Sequence, residues 1–148
     1  MLQLVYLSSA RLLITEEVCR DILAASQRNN QRCGVTGLLV AGQRRFLQAL
    51  EGPTDMVRAT YTRILADSRH YACVLLSERR LDASQFGKWA MGYSPISFEE
   101  PRSDDLSEVV RALVAELPDA NLRAQFVGFA DLQSRAANPQ PSRLSKVI

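Results

Sequence analysis

Val35-Thr36-Gly37-Leu38-Leu39-Val40-Ala41-Gly42-Gln43-Arg44-Arg45-Phe46-Leu47-Gln48-Ala49-Leu50 holds two apolar runs broken by a short polar turn. Branched and aromatic residues on either side of Gly42 predict two strands, 35–41 and 45–50, joined by a tight turn. Working outward, residues 2–8 carry apolar groups on both parities, the pattern of a central strand covered on both faces. Thr15 can cap a helix with Glu16 and Glu17 at its positive end. Val18, Cys19, Ile22 and Leu23 then recur at helical spacing until the pattern runs out near Asn29-Asn30. Pro53 suits the first turn of a second helix with Met56, Val57, Thr60, Tyr61 and Ile64 on one side. Residues 71–76 read as a fourth strand and 89–96 as a fifth, after an irregular connection.

With right-handed crossovers, the order β-α-β-β-α-β-β predicts an α+β, ferredoxin-like sheet with both helices on one face. The other face needs a cover, and the C-terminal third offers one. Ser103, Asp104 and Asp105 start a helix through Leu106, Val109, Val110, Leu113 and Leu117 that Pro118 ends. A second helical pattern follows through Leu122, Phe126 and Phe129. These two helices are expected to dock on the open face or at a subunit interface. The expected organisation is a domain over 1–97, a helical extension over 98–133, and a polar tail over 134–148 that reads as disordered.

The 148 residues are 47% hydrophobic and 23% charged, ordinary for one globular domain. No apolar run approaches the roughly 18 residues of a membrane span. The chain opens on a strand rather than on the basic and apolar regions of a signal peptide, so a cytoplasmic location is expected. The formal charge of +2 belongs to the tail: the last fourteen residues hold Arg135, Arg143 and Lys146 and no acid, leaving the remainder at −1. Such a body gives little support for nucleic-acid binding, which usually needs a basic face or stripe. Three widely spaced cysteines and a single histidine suggest no disulfide framework, metal site or catalytic triad. The absence of a G-x-G-x-x-G run and of an acid–base constellation argues against a reductase. No enzymatic activity is expected.

Phe46 and Gln48 share a strand parity, and if Arg45 points outward at the strand edge Gln48 points into the helix-covered interior. A buried glutamine amide needs partners, and so does the Tyr6 hydroxyl in the middle of an aliphatic strand. Asn30 lies at the end of the first helix, near a ligand held between the helices. Singly, each has a plainer reading. Asn30 could be a left-handed helix terminus, and Tyr6 and Gln48 could bond each other or backbone.

Together these residues resemble the signature of the BLUF (blue light using flavin) family. Tyr6 stands in the first strand, Asn30 after the first helix, and Gln48 just before Leu50-Glu51-Gly52-Pro53. Val35-Thr36-Gly37-Leu38-Leu39 and the later Trp89-x-Met91 belong to the same resemblance, which covers about residues 1–97 and the short, stand-alone members. It implies a flavin, FAD or alternatively FMN, lying between the two helices with Ile22 and Ile64 on its faces. Asn30 would hold the ring's polar edge, and Asn29, Phe46, Arg63, Asp67, Arg69 and His70 would be further contacts. The implied function is blue-light sensing. Tyr6 gives an electron and a proton, both return, and the Gln48 amide is left rearranged, which shifts the absorption to the red. Trp89 and Met91 would carry the signal from the fifth strand to the C-terminal helices. Ser8, on the parity of Tyr6, could extend the network, though a surface serine is its simpler reading. A homo-oligomer and a separate downstream protein are the partners expected.

Arg45-Phe46-Leu47-Gln48 is also similar to a run in the LOV photoreceptors, but Arg44 stands where their reactive cysteine would be. The remaining alternative is a ferredoxin-like interaction module without cofactor, because a fold alone implies no function.

Overall fold

In the computed structural model, which describes residues 1–87, 92–94 and 103–137, β1 (Leu2–Ala10) is paired along both edges. β3 (Arg45–Gly52) lies antiparallel on one side and β4 (His70–Arg80) antiparallel on the other. β2 (Thr36–Ala41) pairs with β3, and β5 (Gly92–Ser94) runs parallel to β2, giving the order β4-β1-β3-β2-β5. The helices are α1 (Glu16–Cys33), α2 (Thr54–Leu65), α3 (Ser103–Val114) and α4 (Ala120–Ala137). This is the ferredoxin-like α+β arrangement that the element order predicts. Among the described residues, no helix is long and apolar enough to cross a membrane.

Strand alternation sorts the sheet into two cores. Leu2, Leu4, Tyr6, Leu39, Phe46 and Leu50 face α1 and α2, where Cys19 and Val57 close over them. Val5, Leu38, Val40, Leu47 and Ala49 face the other way, against Val110, Val114, Leu122, Phe126 and Phe129 of α3 and α4. Each fully buried Val, Leu or Phe side chain among them contributes about 1.5–3 kcal/mol. The C-terminal helices therefore cover the sheet face that the first two helices leave open. Val109 departs from the expected α3 face: it is exposed, while Val114 takes the buried position.

Several boundaries differ from the sequence reading, each for a physical reason. Thr15 Oγ1 accepts from the Val18 N–H at 3.3 Å, as a capping residue should, but α1 runs past Asn29-Asn30 to Cys33. The left-handed stop is Gly34 (φ 68°), which adopts it without a Cβ penalty, so Asn30 is not the terminus. β4 spans 70–80 rather than 71–76 because it pairs with the whole of β1, from Ala10↔His70 to Leu2↔Arg80. α3 ends at Val114, and α4 continues to Ala137, so residues 134–137 of the expected disordered tail are helical. Of the expected strand 89–96, Gly92–Ser94 is observed; Trp89 and Met91 lie outside the described residues.

Glu51, at the end of β3, is 1% exposed and organises the base of the sheet. Its carboxylate accepts from Ser84 Oγ (2.5 Å), the Gln85 N–H (2.8 Å), the Phe86 N–H (3.0 Å) and Gln3 Nε2 (3.3 Å). Gln3 in turn accepts from Arg79 Nε at 2.9 Å, and Arg79 is ion-paired with Asp119. Asp119 caps α4 through the Asn121 N–H, and its own N–H donates to Gln85 Oε1 at 3.0 Å. The sheet, the 84–86 segment and the α3–α4 turn are thus closed into one hydrogen-bonded ring. Glu51→Ala strips the acceptor from the buried Phe86 N–H and from its neighbours. It is expected to lower stability by on the order of 3 kcal/mol in urea unfolding. A loss below about 1 kcal/mol would mean that water replaces the carboxylate.

Candidate functional site

Strand register brings the candidate residues together. Tyr6 of β1 lies directly opposite Gln48 of β3, which is itself opposite Leu39 of β2. Tyr6 is 2% exposed and Gln48 4%, so each needs a hydrogen-bond partner inside the protein or its cleft. The Tyr6 hydroxyl donates to Gln48 Oε1, which leaves the Gln48 N–H2 group as a donor toward other partners. Burial raises the Tyr6 phenol well above its ordinary pKa, with smaller contributions from Cys73, Tyr61 and Asp67. Tyr6 is therefore a neutral hydrogen-bond donor. The Tyr61 ring of α2 packs on it at 5.1 Å between centroids.

Above this pair, α1 and α2 form the walls of a cleft. Ile22, Ala25, Ser26, Asn29 and Asn30 come from α1, and Thr60, Arg63 and Ile64 from α2. Tyr6, Ser8, Leu39, Phe46, Gln48 and Leu50 form the floor, and Asp67, Arg69 and His70 the far rim. About 150 Å³ is open to the centre of a water-sized sphere, roughly ten times what a single water needs. Four buried polar side chains converge on it: Ser8, Asn30, Gln48 and Thr60. Aliphatic walls with a few buried polar groups suit a flat, largely apolar ligand with one polar edge.

Ten of the residues singled out in the sequence for cofactor contact, Ile22, Asn29, Asn30, Phe46, Gln48, Arg63, Ile64, Asp67, Arg69 and His70, line this one cleft together with Tyr6 and Ser8. Ser8 corrects the surface reading: it sits opposite Phe46 on the inner face and is 1% exposed. Ala25, Ser26, Leu39, Leu50 and Thr60 were missed as site residues. The helical spacing from Ile22 to Ala25, Ser26 and Asn29 carried the signal for the first two.

At the rim, Arg69 folds back on Asp67, its Nε and Nη2 donating to the carboxylate at 3.0 and 2.5 Å. These bonds hold the Asp67 carboxyl below its ordinary range, against a smaller opposing effect of burial. A depressed folded-state pKa adds stability above the unfolded value, and that stability is lost as pH falls through the folded one. The pair is partly exposed, so the contribution is about 0–1 kcal/mol. Asp67→Asn should lower the melting temperature slightly at neutral pH. It should also flatten the loss of stability below about pH 4. An unchanged acid slope would show that the pair does not couple to folding.

The sequence profile described as sensors of blue light using FAD matches residues 1–92. The chain belongs to the BLUF family. Among its relatives, the blue light- and temperature-regulated antirepressor BluF of Escherichia coli is 33% identical over 90 residues, 61% of this chain and 22% of that protein. The photoactivated adenylate cyclase subunit alpha of Euglena gracilis is 29% identical over 80 residues, 54% of this chain and 8% of that one. This chain thus spans less than a quarter of either relative. The dark-state structure of the BLUF protein BlrB aligns over 92% of this chain and 94% of its own length, at 26% identity and a TM-score of 0.65. The BLUF domain of this protein is a flavin-binding blue-light sensor, and its cleft suits that cofactor. Ile22 and Ile64 offer aliphatic surfaces from opposite helices, and Asn30 and Gln48 offer buried amides.

Proposed function

We propose that the chain is a photoreceptor in which Tyr6 and Gln48 form the switch and that it signals through contacts rather than by turning over a substrate. The observation that carries this reading is the buried Tyr6–Gln48 hydrogen bond on the floor of the cleft. Ile22 and Ile64 would sandwich the ring. Asn30 would hold its polar edge, with Asn29, Phe46, Arg63, Asp67, Arg69 and His70 around it. A bound oxidised flavin, FAD in this proposal, supplies blue-light absorption and a strongly oxidising excited state. Tyr6 is the phenol placed to release an electron and its proton and to take both back. Gln48 is the amide whose rearrangement exchanges a donor for an acceptor at almost constant shape.

The outward face of the same strands carries α3 and α4, so a change in strand pairing is felt by those helices. Trp89 and Met91 belong to this proposed route, and a homo-oligomer or a downstream protein to its output. Purified protein should be yellow, with an oxidised-flavin spectrum that shifts reversibly to the red under blue light. Cofactor released on denaturation and separated by chromatography should be FAD rather than FMN. A preparation that stays colourless after reconstitution would sink the photoreceptor reading and leave the cofactor-free module.

A further inference from the structure

His70 is the only histidine in the chain, and it is held from both ring nitrogens. Nε2 lies 2.5 Å from the Ile64 carbonyl oxygen at the end of α2, and Nδ1 lies 3.0 Å from Ser8 Oγ on β1. A carbonyl can only accept, so Nε2 must carry the proton. In the neutral ring Nδ1 is then an acceptor, and the Ser8 hydroxyl must spend its single proton on it. Asp67 and Arg69, the charged groups nearby, are bonded to each other.

The backbone is bent beside this contact. The β1–β4 register shifts between Leu7 and Ser9, opposite Ser8, and Ala72 in that bulge has φ 50°, a conformation that costs a non-glycine residue energy.

We infer that His70 is a positioning residue that acts through Ser8, fixing the polarity of the hydroxyl so that only its lone pairs face the cleft. This rests on the flavin-sensor reading and extends it. With Ser8 unable to donate into the cleft, Gln48 is the strand-borne amide donor at that wall, and its rearrangement is not masked by a competing hydroxyl.

The unique histidine makes the tautomer directly observable. In ¹⁵N-histidine-labelled protein, before and after flavin loading, Nε2 should be the protonated nitrogen. Ser8→Ala should move the Nδ1 shift toward its non-bonded value and leave Nε2 in place. A wild-type ring protonated at Nδ1 would overturn the inference, whatever the colour of the protein. The second arm uses the loaded protein. His70→Leu should change the dark absorption maximum and reduce the light-induced shift, whereas His70→Gln, which keeps an amide donor and acceptor, should retain much of both. In a Ser8→Ala background, His70→Leu should add nothing further. An effect of His70→Leu that persists undiminished there would show that His70 acts directly on the cofactor or only on the fold. A colourless protein with the expected tautomer would defeat the sensor reading and leave the clamp intact.

Discussion

Gln48→Leu should retain flavin and give no red shift in its light-minus-dark spectrum. Leucine has similar bulk and the same inner-face position on β3, so the floor of the cleft keeps its shape. What is lost is the amide, which alone at this position offers both a donor and an acceptor. The substitution also removes the acceptor for the buried Tyr6 hydroxyl. An orphaned buried donor costs about 1–3 kcal/mol, offset in part by the added apolar burial, so the variant should fold with modestly reduced stability. A wild-type red shift in flavin-loaded Gln48→Leu would show that another group is the switch, even though the protein would still sense light.

Tyr6→Phe should abolish the same response for a different reason, and fluorescence should tell the two apart. Phenylalanine keeps the ring that packs on Tyr61. It removes the hydroxyl and with it the readily oxidised phenol. Flavin emission should therefore rise many-fold and its lifetime lengthen, more than in Gln48→Leu, where the donor remains. Loss of one neutral buried hydrogen bond lowers stability by about 1 kcal/mol, so absent signalling would not reflect unfolding. Emission as strongly quenched as in the wild type would exclude Tyr6 as the electron donor. The raised pKa adds a further constraint. A phenol whose folded value is above its unfolded one stabilises the fold fully below the unfolded value, about 10, and loses that contribution as pH rises through the folded value. The Tyr6 proton should not titrate away at neutral or mildly alkaline pH.

The amino-acid sequence by itself determined the elements and their faces. The period of α1, the turn at Gly42 and the alternation of Phe46, Gln48 and Leu50 are local patterns, imposed by helical and strand geometry on residues a few positions apart. Local parity was enough to aim Gln48 under the helices, and the match of Tyr6, Asn30 and Gln48 to a family signature was enough to name the cofactor class. What the tertiary structure alone decided depends on partners far apart in the chain. Tyr6 meets Gln48 across 42 positions, Ser8 meets His70 across 62, and Glu51 collects the 84–86 segment across more than 30. No periodicity announces these contacts. Ser8 looked like a surface serine because serine usually is one, and β4 looked six residues long because its polar half has no hydrophobic pattern. Strand pairing along both edges of β1 supplied the two answers. Pairing with β3 set Ser8 opposite Phe46 on the inner face, and pairing with β4 extended that strand, since a backbone donor or acceptor is satisfied by whatever strand lies beside it, regardless of the side chains it carries.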